Sequence, residues 1–303
     1  MSSKTNERQN IILKHLCKGT SLSISEISNL IKDISKITFN RDLSSLLEFG
    51  FIKKIGKGRS TKYSLSEKYN LIKEINSNEY FQKEVDQRIT NRNFQWDILE
   101  NMKNFISDKT LDLLEANNKK YLKRIQRTSK TILQKEYERL TIELSWKSSH
   151  IEGNTYSLLE TEDLIKNHQE AKGHSKEEAN MILNHKEAFE IIRKNKSDFK
   201  KLNVMNIENI HAILTRNLKV SKGIRKTGVG IIGTNYKPID NQHQIREALE
   251  LACQTINKIS NPFEKALASI VLISYIQPFE DGNKRTARLI GNAILITYNK
   301  CPL

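Results

Sequence analysis

The sequence predicts a mainly α-helical protein, and three observations carry that expectation. From Leu71 to Leu144 there is neither Pro nor Gly, and most of the residues are good helix formers. Apolar residues recur at helical spacing near both ends, at Ile11, Ile12 and Leu16 and again at Ala287, Ile290, Ala293 and Ile294. Strand-like runs are confined to two short glycine-bounded stretches, Phe51 to Leu65 and Gly223 to Gly233. With 303 residues the chain is long enough for two domains, and 37% hydrophobic content suffices for helical cores.

The formal charge of +15, from 50 basic and 35 acidic residues, is that of a chain with a polyanionic partner or of one with a lysine-rich solvated surface, and where the charge lies decides between them. Residues 1–75 hold 14 Lys+Arg against 7 Asp+Glu, nearly half of the excess in a quarter of the length, which points to this segment as the nucleic-acid contact. No apolar run approaches a membrane span and no leading apolar segment is present, so a cytoplasmic protein with no membrane partner is expected. Cys17, Cys253 and Cys301 are odd in number and far apart, which favours reduced thiols over a disulfide framework or a zinc knuckle.

In chain order, Ile11, Ile12, His15 and Leu16 form a first helix that Gly19 should end. Ser23 and Glu26 make a capping-box pair before Ile27, Leu30 and Ile31, and Asp33 or Ser35 can cap a third helix. That helix turns Phe39, Leu43, Leu46 and Leu47 inward and Lys36, Thr38, Asn40, Arg41 and Ser44 outward. Phe51–Ile55 and Thr61–Leu65 then flank Gly56-Lys-Gly-Arg-Ser60 as a hairpin with a basic tip. Three helices and a basic hairpin over residues 1–70 resemble the winged helix-turn-helix of bacterial transcription regulators. The resemblance implies double-stranded DNA as partner, with Asn40 and Arg41 at base edges and Lys57 and Arg59 on phosphate, and a homodimer reading paired half-sites. A winged helix used for protein contacts or dimerisation is the alternative.

Residues 71–145 read as a helical connector with apolar faces marked by Phe94, Trp96, Leu99, Ile106 and Leu111, the first two burying against the body or a second subunit. Residues 146–303 complete the domain plan as an all-helical body with a short β-hairpin flap. Asn261-Pro262 starts a helix to Tyr275 that is apolar on nearly all sides, as for a central buried helix. Pro278 stops it, and Asp281-Gly-Asn supplies a turn before the next helix. A turn opening a helix leaves N–H groups free for an anion, and Arg285 and Arg288 lie three apart on its first turn, so both reach one polyphosphate. Asp281 can hold magnesium between phosphates. The set suits a nucleoside triphosphate with Mg2+.

Gln277 to Arg288 resembles the signature of the Fic/Doc (Fido) family, HPFx(D/E)GN(G/K)RxxR. The resemblance implies a largely helical Fido domain that transfers AMP from ATP to a protein hydroxyl, or phosphorylates it in the Doc branch. By position, Asp281 is then the metal ligand, Gly282 and Asn283 the anion-hole turn, and Lys284, Arg285 and Arg288 the phosphate contacts. Two departures stand out. Gln277 replaces the histidine general base, which removes a proton-transfer contribution of roughly 10²–10⁴. Lys284 follows the Doc pattern rather than the glycine of most AMP-transferring members. Ser148-Ser-His-Ile-Glu-Gly-Asn154 resembles the family's inhibitory motif, which implies that Glu152 pairs with Arg288 and keeps the γ-phosphate out. Gly223 to Gly233, with Tyr236-Lys-Pro238, resembles the flap that aligns a target segment by strand addition, while His185 and His211 read as helical core or surface residues.

The expected function is therefore a DNA-binding regulator carrying a Fic/Doc-type nucleotide-binding domain whose catalysis is impaired by Gln277. The alternatives are an active adenylyltransferase or Doc-like kinase autoinhibited through Glu152, and a toxin–antitoxin-like partner with built-in inhibition.

Overall fold

The structure is a computed structural model that describes residues 5–17, 21–31, 35–88 and 91–303, without the side chains of Arg59 and Leu71. Gly19 and Asp33, expected at helix ends, lie outside the described residues. The chain divides into two compact units, Met1–Arg88 with Asn104–Ser107, and Ile89–Lys103 with Asp108–Leu303.

In the first unit, α1 (Glu7–Leu16) opens on a capping box between Asn6 and Gln9. A two-residue strand, β1 (Leu22–Ser23), precedes α2 (Ile24–Leu30), whose Ser23 and Glu26 form the expected capping box. Ser35 caps α3 (Lys36–Glu48), its Oγ accepting from the Thr38 N–H at 3.3 Å. β2 (Ile52–Ile55) and β3 (Lys62–Leu65) pair antiparallel with Ile52 opposite Leu65, and β1 pairs antiparallel with the other edge of β3. Gly56 turns the hairpin at φ +83°, a conformation an L side chain resists. Ile12, Leu16, Ile27, Phe39, Leu43, Leu46 and Ile52 share one buried core. Asp42, 3% exposed, ties α3 to α1 by accepting from Arg8 Nε at 2.8 Å and Asn6 Nδ2 at 3.0 Å. Its carboxyl is held low, since those bonds outweigh the burial that would raise it. Short helices α4 (Glu67–Ile72) and α5 (Ser77–Gln82) follow.

The stretch read as a helical connector is less regular than its composition suggests. Among the described residues of 83–107 the regular elements are a 3₁₀ turn and the short α6 (Asp97–Asn101), and long helices begin with α7 (Asp108–Gln126) and α8 (Lys130–Ile151). High propensity does not make a helix where Asn, Asp and aromatic side chains find other partners. Phe94 stacks on Tyr275 with centroids 4.8 Å apart, and the Gln95 N–H donates to the Tyr275 hydroxyl at 2.7 Å.

The second unit continues with α9 (Leu158–Asn167), α10 (Lys176–Lys194), α11 (Val204–Leu214), α12 (Gln242–Lys258), α13 (Pro262–Ile276) and α14 (Asn283–Thr297). Asn261 caps α13 ahead of Pro262 as expected. The central helix, however, is α14, which packs against α10, α11 and α13 and is buried on almost every side from Asn283 to Leu295. α13 instead leaves Leu267 and Val271 partly in solvent on one outer stripe, so its apolar periphery does not mark full burial. α13 and α14 meet closely at Gly291, where an added Cβ would lie 2.7 Å from Ile270 Cδ1 and 2.8 Å from its Cγ1. Overpacking there against the helix-propensity gain of alanine predicts a net loss of up to about 2 kcal/mol for Gly291→Ala. A lowered urea midpoint reports it; an equal or higher midpoint contradicts the close approach.

The expected flap hairpin is absent. Residues 221–241 contain no strand, and the one bridge they make joins Lys237 to Asn93. Arg225 supplies the reason. It is buried, and its guanidinium donates to the carbonyls of Gln277 (2.7 Å), Thr227 (2.7 Å) and Ile239, while its backbone N–H donates to the Pro278 carbonyl at 3.0 Å. The Thr227 carbonyl, which a ladder would use, is engaged by this side chain, which also ties the segment to Gln277 and Ile239, and the segment settles as an irregular loop on the Pro278 turn.

Candidate functional site

The turn between α13 and α14 is built by local bonds. Gln277 ends α13 in the left-handed region at φ 51°, and Pro278 prevents continuation. Asn283 closes the loop on Phe279, accepting from its N–H and donating to its carbonyl, both at 2.8 Å. Gly282 N-caps α14 at φ +78°, a glycine conformation, and no side chain caps the helix. Its first-turn N–H groups therefore form the kind of unsatisfied, positive helix end that takes up anions.

Arg285 is 1% exposed beneath this turn. Nη2 donates to Asp281 Oδ2 at 3.0 Å, whereas Nε and Nη1 are buried without a hydrogen-bond partner. A buried cation with two idle donors costs stability unless an acceptor arrives. Asp281 itself is largely exposed, and Lys284 points to solvent. Arg288 donates from Nη2 to Glu152 Oε1 at 2.9 Å, to Ser148 Oγ at 3.0 Å and to the Ser148 carbonyl at 3.0 Å, with Nε reaching Ser148 Oγ at 3.1 Å. Glu152, just past the end of α8, thus meets Arg288 across 136 residues of sequence. Gln277 is buried, and its Nε2 donates to the Ser274 carbonyl at 2.6 Å, capping the orphaned end of α13 rather than facing a reactant.

Two participants escape a sequence reading: Arg225 fastens the loop above, and His211 supports the loop below. Ser148, the first residue of the inhibitory motif, holds Arg288 together with Glu152. The His211 ring lies parallel to Phe279 with centroids 3.7 Å apart, and its Nε2–H donates to the Asp281 carbonyl at 2.9 Å. No spacing rule reveals such contacts, which join distant elements. His185 is buried beside Ser145, 3.2 Å from Nδ1 to Oγ. Burial, and then the nearby Arg288 and Arg285, push the His185 pKa down to about 3; burial pushes that of His211 down to about 4. Both rings are neutral in the fold and become protonated on unfolding below about pH 6.5. Their contribution is therefore complete above pH 6.5 and lost as pH falls toward 4 and then 3. Stability is expected to drop by about 1–2 kcal/mol per histidine between pH 7 and 5, measurable by urea titration. Carboxylates such as Glu178, held at about 2 mainly by the Thr155 hydroxyl, act at lower pH. A flat profile from pH 7 to 5 contradicts this.

The face expected on α3 is only partly as read. Lys36, Asn40, Arg41 and Ser44 are exposed, but Thr38 is half-buried with its hydroxyl 3.0 Å from Ser35 Oγ. Ile37, not anticipated there, is 82% exposed. Lys57 is exposed on the hairpin, and the Arg59 side chain lies outside the described residues.

The helices and this turn define a mainly helical Fic-like fold, with a small three-strand antiparallel sheet near the N-terminus. Residues 201–295 match the Fic/DOC family, so the chain carries a Fic/DOC family domain. It is distantly related to the protein adenylyltransferase Fic of Nematostella vectensis, at 30% identity over 157 residues that make up 50% of this chain and 36% of that protein. The chain thus spans only about a third of that relative. Among solved structures it resembles Fic-1 from C. elegans, with a TM-score of 0.55 and 21% identity over 64% of this chain and 58% of the other. A Fic domain containing signaling protein from Bacteroides thetaiotaomicron gives 0.53 and 22% over 62% and 72%. At these identities the structural likeness bears on fold alone. Among the described residues no helix is long and apolar enough to cross a membrane.

Proposed function

We propose that this is a DNA-binding regulator whose Fic domain binds Mg-ATP, is restrained by Glu152 and transfers little or nothing. The observation that carries the reading is the pair of states at the turn: two idle donors on buried Arg285, and an amide at Gln277 already bonded to Ser274. The donors, with the uncapped start of α14 and Arg288, suit the phosphates of ATP. Asp281 suits a magnesium ion of the kind that keeps most of its waters and takes one carboxylate plus phosphate oxygens. Bound there, magnesium would neutralise phosphate charge. Arg285 and the α14 N–H groups would orient the phosphates, and Glu152 would compete for Arg288 with the outermost one. An amide has no basic lone pair to accept a hydroxyl proton, so the attacking group would go unactivated.

The first unit is the DNA-contacting part in this reading, a winged helix-turn-helix with α3 as recognition helix and the β2–β3 hairpin as wing, working as a homodimer on paired half-sites. Its support is the exposed face of α3, the exposed Lys57 and the positive balance of residues 1–75. A mobility-shift assay with the full chain tests it. Duplex binding is expected to weaken steeply with salt, and Lys57→Ala to reduce the log–log slope by about 1. Absence of any shift at low salt overturns the DNA reading.

A further inference from the structure

The exposed residues of α3 fall into a narrower pattern than their polarity suggests. Ile37, Asn40, Arg41 and Ser44 are spaced i, i+3, i+4, i+7, so they form one stripe along a single helical face. All four are exposed, and Ile37 is among the most exposed large apolar side chains of the described residues. The opposite face is anchored by Phe39, Leu43 and Leu46 in the core and by Asp42 on Arg8, so the stripe cannot rotate inward. Thr38, off the stripe, turns its hydroxyl toward Ser35 Oγ.

Ile37 stands at the first turn of α3 beside the exposed Lys36, Asn40 and Arg41, so its alkyl group is open to a partner that meets this face. The basic balance of the segment fits a polyanion, and the one feature of duplex DNA that a branched alkyl group recognises in the major groove is the thymine C5-methyl. Asn matches adenine N6 and N7, and Arg matches guanine O6 and N7. Resting on the DNA-binding reading above, we infer that α3 reads a half-site containing an A·T pair, with Ile37 against a thymine methyl and Asn40 and Arg41 on neighbouring purines. Ile37 is then a specificity-determining residue.

Deoxyuridine, which differs from thymidine only by that methyl, is the probe. Duplexes selected from a random pool by the full chain would carry deoxyuridine at each thymine in turn. At one thymine per half-site the wild-type chain should lose about fourfold in affinity, the worth of one buried methyl group. Ile37→Ala should bind the thymidine duplex correspondingly more weakly and be indifferent to the replacement. Because Ile37 is largely exposed, the variant should keep its circular dichroism and melting point, which separates recognition from folding. Selected duplexes with no methyl-sensitive position, or a methyl effect that persists in Ile37→Ala, overturn the inference while the DNA-binding reading stands. Failure to select any duplex overturns both.

Discussion

Glu152→Gly combined with Gln277→His is expected to raise transfer of AMP or phosphate to protein hydroxyls by about 10²–10⁴ over Glu152→Gly alone. Geometry favours this as well as chemistry. Gln277 sits at φ 51°, a region that His enters more readily than most side chains, so the substitution does not fight the backbone. What it gives up is the bond from the amide to the Ser274 carbonyl, and what it brings is an imidazole lone pair beside the Pro278 turn. Mass spectrometry of the protein and of lysate proteins reads the result, and the added mass distinguishes AMP from phosphate. A silent double variant would shift the lesion to Lys284, the other departure from the pattern of AMP-transferring relatives.

Glu152→Gly by itself is expected to tighten Mg-ATP binding by about 1–3 kcal/mol, roughly 5- to 150-fold, the range for one charge-assisted contact removed from competition. The lower part of that range is favoured because Ser148 retains three bonds to the same guanidinium when the carboxylate is gone. Calorimetry on both proteins decides it, with equal affinities meaning that Glu152 and the nucleotide do not compete for Arg288.

Local chemistry was the readable part of this molecule. Capping pairs such as Ser23 with Glu26, the Asn261-Pro262 start of α13 and the Gly282 turn depend on neighbours within a few residues, and they stand where the pattern puts them. The residues of the turn, and the meeting of Glu152 with Arg288, were legible because two separated motifs named them. Long-range satisfaction was not legible. Glycines and β-branched residues from Gly223 to Gly233 look like a hairpin until Arg225 engages the carbonyls of Thr227 within the segment, Ile239 beyond it and Gln277. His211 resembles any core histidine until its ring is found parallel to Phe279 and its N–H on Asp281. The sequence pattern assigns Ile37 to neither face of α3, and the structure places it in solvent.

Whether the Fic domain holds nucleotide without using it can be read from the wild-type chain itself. Incubated with Mg-ATP and a lysate, then analysed by mass spectrometry alongside a calorimetric titration, it should bind nucleotide while neither it nor any lysate protein gains the mass of AMP or phosphate above trace level. Robust modification by the protein with Gln277 in place would contradict the account.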